Sequence, residues 1–271
     1  MSKRFIIALL VIAALSLVAS QKFFRRSTDA VIANSQIRSF PAYTANFEEY
    51  VAKTGDPVSL SRRVLRAQRT DGTVVEVEDT LSKDGKSQYT TRNIYRFDGT
   101  LVYVRDAQRI GVAIANRFTN SQTDLTRFDP ARQCKVNYAG TADYQAAPEL
   151  EPVTSLGLMA TRLDSDSPTV HHRVWRVPAV GCLQARRLTE FKGKDRATTD
   201  TSDYTLVKLQ VAEPPASLFE VPPDYESVTP TQFYERLLAM FGATLDEGTR
   251  KSLAIADQEH AKQGIKLSEL K

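Results

Sequence analysis

Cysteine, histidine and tryptophan are scarce here: the 271 residues hold two, three and one of them. Two of the histidines are the adjacent pair His171-His172, whose side chains on a strand would point to opposite faces, and His260 lies far away in a polar tail. A zinc site is therefore not expected. Glycine and proline, 12 each, with 25% charged and 42% hydrophobic residues, exclude a collagenous, low-complexity or wholly disordered chain. No sign of charge dominates. The formal net charge is +4, and basic stretches such as Arg62-Arg63-Val64-Leu65-Arg66 are balanced by acidic ones such as Glu76-Val77-Glu78-Asp79. That reads as solvated strand faces and excludes a nucleic-acid partner. Catalytic signatures are missing too: there is no Gly-x-Ser-x-Gly elbow, phosphate-binding glycine loop, His-Glu-x-x-His or calcium loop. The acids Glu48-Glu49 and Asp164-Ser165-Asp166 are of a kind common on exposed strand ends and loops.

No long apolar run is present either. Residues 5–20 are uncharged, and 16 residues at ~1.5 Å each cover about 24 Å, short of a ~30 Å hydrocarbon core. With Lys3-Arg4 ahead of it and Val18-Ala19-Ser20 at its end, the segment fits a secretory signal peptide cleaved after Ser20. Lys22, Arg25 and Arg26 directly after it leave an uncleaved anchor, with membrane association through residues 5–20, as the alternative. No cysteine lies near the run, so lipoprotein processing is excluded. The expected location is periplasmic or extracellular. In such an oxidising compartment Cys134 and Cys182 are expected to form one disulfide, two separate buried thiols being the other reading.

Three Asp-Gly pairs, at 71-72, 84-85 and 98-99, sit between segments rich in Val, Ile, Thr and Tyr. Glycine supplies the positive φ that tight hairpins need, so the stretch predicts an antiparallel meander with strands over 60–69, 73–80, 87–97, 101–105 and 110–115, preceded by 43–51. Along these strands Val75 and Val77 point one way and Glu76 and Glu78 the other. In Leu101-Val102-Tyr103-Val104 both parities are apolar, so something packs there on both sides. A looser stretch, 141–152, and a short helix over 154–163 carrying Leu156, Leu158, Met159 and Leu163 are expected next. Strands over 169–177, 182–191 and 204–211 resume the meander, with Thr205, Val207, Leu209 and Val211 on the more apolar parity of the last. Thr229-Pro230-Thr231-Gln232 is a capping box opening a helix over 230–241 with the stripe Phe233, Leu237, Met240 and Phe241. Thr244-Leu245-Asp246-Glu247 opens a second helix, to about residue 263.

The segment Ala212-Glu213-Pro214-Pro215-Ala216-Ser217-Leu218-Phe219-Glu220-Val221-Pro222-Pro223, after a strand ending near Val211, resembles the closing Leu-Phe-x-x-Pro step of the lipoprotein-carrier superfamily, the LolA, LolB and RseB types. Gly181-Cys182-Leu183-Gln184-Ala185-Arg186 is similar to that family's glycine-led strand, with Cys and Gln departing from it. The resemblance implies an unclosed β-barrel around helices, with an apolar concavity for acyl chains or polypeptide.

The expectation is thus a mainly β (α+β) chain: residues 1–20 as signal peptide or anchor, 21–42 as linker, 43–228 as a curved antiparallel β domain, and 229–271 as C-terminal helices and polar tail. It is expected to be noncatalytic, with no catalytic, cofactor or metal residue. Its concave sheet is expected to bind a lipid or lipoprotein acyl ligand, or to serve as an RseB-like module binding another envelope protein. The apolar stretch 101–104 is the expected site of that concavity.

Overall fold

A computed structural model describes residues 40–96, 99–115, 134, 145–193 and 197–267. Among these residues twelve strands form a single curved sheet that does not close into a barrel. They are β1 (Tyr43–Lys53), β2 (Ser59–Gln68), β3 (Val74–Leu81), β4 (Ser87–Tyr95), β5 (Thr100–Arg105), β6 (Ile110–Ala115), β7 (Gln145–Val153), β8 (Leu158–Asp166), β9 (Val170–Val177), β10 (Leu183–Lys192), β11 (Thr198–Gln210) and the two-residue β12 (Glu226–Ser227). Their spatial order is β12-β6-β5-β4-β3-β2-β1-β11-β10-β9-β8-β7. Two meanders, β1 to β6 and β7 to β11, are therefore joined along the β1–β11 seam. Among the described residues β12 ends the sheet at one side, pairing parallel with β6.

The Asp-Gly hairpins form as their local chemistry dictates. At the first, Gly72 N–H donates to Arg69 O and Arg69 N–H to Thr73 O, which closes a three-residue loop. Gly72 lies at φ 86° and Gly85, in the next hairpin, at φ 76°, while Asp71 and Asp84 keep negative φ. Only glycine needs the left-handed conformation here. The two differ in surroundings: a Cβ on Gly72 would meet the Phe40 ring at 2.3 Å, whereas one on Gly85 would meet nothing within 4 Å. Gly85→Ala should therefore cost about 1 kcal/mol from the backbone alone. Gly72→Ala should cost clearly more because Phe40 must also move, and equal shifts in urea midpoint for the two variants would refute this.

Residues 154–163 do not form the expected helix. Thr154 and Gly157 have φ 63° and 65°, and Gly157 N–H donates to Thr154 O, so the segment turns and continues as β8. The helical spacing of Leu156, Met159 and Leu163 breaks up accordingly: Leu163 is fully buried, and the other two are exposed. The looser stretch before it becomes β7, which tolerates Pro148 and Pro152 because it is an edge strand that needs fewer backbone donors. β11 also departs from simple alternation. Phe47 pairs with Leu206 and Asn46 with Lys208, leaving Val207 as an unpaired bulge residue. The bulge puts Leu206 and Leu209 on one face and turns Val207 out, so of the expected apolar set Val207, Leu209 and Val211 only Leu209 packs on the core, and Val211 is exposed.

Both faces are covered over β4 to β6. On the convex face Ala67, Val75, Ile94, Val102, Val104 and Ala113 pack against Leu218, Phe219, Val221 and Tyr225 of the closing segment and against Leu267. Buried Arg92 fastens that strap by donating to Glu220 O (2.8 Å) and to Asp106 Oδ1 (2.7 Å), which also accepts from Tyr225. On the concave face Tyr103, Ile110, Val112 and Ile114 meet Val228 and Phe233. Phe233 belongs to α1 (Pro230–Ala239), whose capping box is present as read: Thr229 Oγ1 accepts from Gln232 N–H, and the Gln232 side chain accepts from Thr229 N–H. Leu237 and Leu238 are buried, and Met240, expected in the stripe, is exposed. The second helix, α2 (Glu247–Gln263), is capped by Asp246 rather than Thr244, and packs on α1 through Leu253, Leu245 and Leu238.

Candidate functional site

Because opposite residues of an antiparallel pair share a face, the registers define the inner surface. Tyr43, Ala45, Phe47 and Glu49 of β1 face Gln68, Arg66, Val64 and Arg62 of β2. The last four continue to Val74, Glu76, Glu78 and Thr80 of β3. On the other side of β1, Phe47 and Glu49 meet Leu206 and Tyr204 of β11, and Tyr204 meets Arg187 of β10. These strands carry no covering helix among the described residues and enclose a cavity of about 440 Å³, within the range typical of small-molecule sites.

Its floor is aromatic. Tyr43 and Phe47 are 2% and 1% exposed. The Tyr204 ring stacks on Phe47 with centroids 4.7 Å apart. Phe40 and Val64 complete this wall, and Gly181, Cys182 and Leu183 contribute from the β9–β10 turn. The sides are ionic. Arg62 reaches Glu49 (2.8 Å) and Glu78 (3.0 Å), Arg66 pairs with Glu76 and donates to Tyr43 Oη, and Arg187 lies 3.7 Å from Glu49. Glu49 also accepts from Ser202 Oγ at 2.6 Å. Arg62 and Arg187 flank the Tyr204 ring at 5.9 and 5.5 Å. Burial, then the negative charge of Glu76, raises the Tyr204 phenol well above its ordinary value, so it remains protonated. His172, hydrogen-bonded to Thr189, is shifted downward by burial and by the nearby Arg187 and His171 charges, so it adds no cation at neutral pH.

Several expectations move. Residues 101–104 are covered on both sides, as their double apolar parity implies, but the cover is the chain itself. The open concavity lies elsewhere, over β1 to β3, β10 and β11, and is ringed by charge rather than purely apolar. The Arg62, Arg66, Glu76 and Glu78 set, read as solvated strand faces, forms its wall. Glu48 and Glu49 diverge: Glu48 accepts from Tyr50, and Glu49 pairs with Arg62 of the cavity wall. Asp164 pairs with Arg162 (2.7 Å), and His171 lies between Asp164 and Glu190, away from His172. Among the described residues no group of His, Cys, Asp and Glu has metal-binding geometry. Cys134 and Cys182 are bonded to each other.

No family model matches the sequence, and neither does any curated protein. Solved structures do match. A LolA superfamily protein from Nitrosomonas europaea shares 11% identity at a TM-score of 0.31, over 68% of this chain and 92% of that one. MucB in complex with MucA(peri) shares 16% identity at a TM-score of 0.35, over 70% of this chain and 58% of that one. PNGF-II is also similar, with 7% identity and a TM-score of 0.43 over 74% of this chain, which spans about a third (34%) of its length.

Proposed function

We propose that this chain is a noncatalytic protein of the bacterial cell envelope, exported by residues 1–20, whose concave sheet face binds a lipid or lipoprotein acyl ligand. Residues 21–42 serve as linker, 43–228 as the binding domain and 229–271 as a helical appendix. One observation carries this reading: the sheet covers its own apolar surface with the closing strap and α1, yet over β1, β2, β10 and β11 it leaves a cavity floored by Tyr43, Phe47, Val64 and Tyr204. A cavity of this volume with aromatic side chains in its floor and a few polar groups at its sides has the make-up of a small-molecule site. The disulfide agrees with an oxidising compartment.

A fluorescent phospholipid should bind saturably with one site per chain. Val64→Trp, which fills the cavity, should weaken that binding at least ~10-fold, while the overpacking costs only about 1–3 kcal/mol of stability. Absence of saturable binding to wild type would reject the reading. It would favour a protein-binding module instead, for which a different observation speaks: Leu150, Leu156 and Met159 are exposed together on the β7–β8 hairpin at the sheet edge.

A further inference from the structure

One cation of the inner face has no anion of its own. Arg105, the last residue of β5, lies opposite Ile110 of β6 and shares with Tyr103 the face that α1 covers. Its Cζ sits over the Phe233 ring at 5.3 Å and over the Tyr89 ring at 5.7 Å. Ring faces attract the charge but offer its N–H groups no oxygen. Nε and Nη1 are buried without a hydrogen-bond partner, and among the described residues the side chain has no ion pair. Glu78, whose charge acts on it, is held by Arg62 at 3.0 Å. A buried donor without an acceptor is costly, and burial pulls this guanidinium below its ordinary pKa. Arg92, buried on the opposite face, is by contrast met by Asp106 Oδ1 and Glu220 O.

The surroundings add donors rather than acceptors. The Tyr234 phenol, on α1, interacts electrostatically with both Arg105 and Tyr103. Burial raises the Tyr103 and Tyr234 phenols above their ordinary value, so both stay protonated. Among the described residues neither hydroxyl has a hydrogen-bond partner. Arg105, Tyr103 and Tyr234 each keep part of their surface exposed, so the group is reachable from solvent.

We propose that Arg105, Tyr103 and Tyr234 form a phosphate site under α1, separate from the cavity and independent of the lipid-binding reading. Glu78 of the cavity wall lies opposite Thr91 of β4, and the register Arg92 to Val104 places Arg105 beside Thr91. At about 4.8 Å per strand, the site is therefore about 10 Å from that wall. A phosphate has enough oxygens to accept from the guanidinium and both phenols at once. It is either the head of a phosphomonoester lipid or free phosphate.

The test is calorimetry on the full chain with inorganic phosphate and with soluble dihexanoyl phosphatidic acid. One of the two at least should bind saturably at one site, and Arg105→Gln should weaken that binding at least about tenfold. Tyr234→Phe should weaken it about threefold or more while leaving the melting temperature unchanged, because the hydroxyl has no partner in the free protein. Tighter binding of dihexanoyl phosphatidic acid identifies a lipid head, and phosphate binding at least as tightly identifies the free anion. Val64→Trp, which fills the cavity, should leave phosphate binding unchanged, so failure of the lipid-binding reading and failure of this site are told apart. Absence of binding by both probes would overturn the site. So would binding that survives Tyr234→Phe undiminished, a result that decides the matter even where Arg105→Gln does not fold.

Discussion

Leu237→Asp is expected to lower stability by at least about 4 kcal/mol, the sum of a lost core leucine and a carboxylate placed in an apolar contact. Leu237 is 2% exposed on α1, the helix that closes the inner face over β5 and β6 together with Phe233 and Val228. For a domain of this size the melting temperature should fall by roughly 10 °C or more. Met240→Asp is the control. That residue lies one turn on and is 46% exposed, so its variant should stay within about 0.5 kcal/mol of wild type. Thermal melts of the two variants decide the matter: similar midpoints would mean that α1 does not contribute to the core.

Removing the disulfide should cost nearly as much. Cys134 and Cys182 are 48 residues apart in sequence, and in the chain-entropy model closing such a loop destabilises the unfolded state by about 4 kcal/mol. Cys182→Ser should thus shift the urea midpoint strongly. Adding a reductant should shift wild type to match the variant, and the double variant Cys134→Ser with Cys182→Ser should lose no more than either single one. A reductant without effect on wild type would refute the assignment. Cys182 also lines the cavity beside Gly181 and Leu183, so ligand affinity measured on the same samples tells whether the bond shapes the wall as well as the stability.

Where the fold was legible in the sequence, its cause was local. The Asp-Gly hairpins and the Thr229 capping box are decided by a few adjacent residues, and the strands around them fall within about two residues of their predicted ends, allowing for β11, which begins several residues earlier. Legibility failed where the cause was tertiary. Nothing within 145–153 announces an edge position, and only that position makes a proline-bearing strand acceptable. A bulge cannot be seen in one strand alone, so the parity of β11 follows only from its pairing with Phe47. The candidate site was hidden for a related reason. Arg62, Arg66, Glu76 and Glu78 alternate with apolar residues as any wet sheet face would, and period two does not distinguish bulk solvent from a polar cavity. Only curvature, together with the rings of Tyr43, Phe47 and Tyr204 arriving from β1 and β11, makes that face an interior.

The β1–β11 seam also governs how the chain reaches its native state. Glu49 and Ser202, hydrogen-bonded across it, are 153 residues apart. During synthesis β1 is made early, and its partner arrives only after both meanders have left the ribosome. Until then Tyr43, Ala45 and Phe47 lie on an open strand edge, the kind of surface that invites wrong pairing. Each meander can zip locally, hairpin by hairpin, but the final docking must bring distant segments together and is the slow event. The bond between Cys134 and Cys182 ties the β9–β10 turn to a residue ahead of β7, so once formed it holds the second meander together for β1 to find β11.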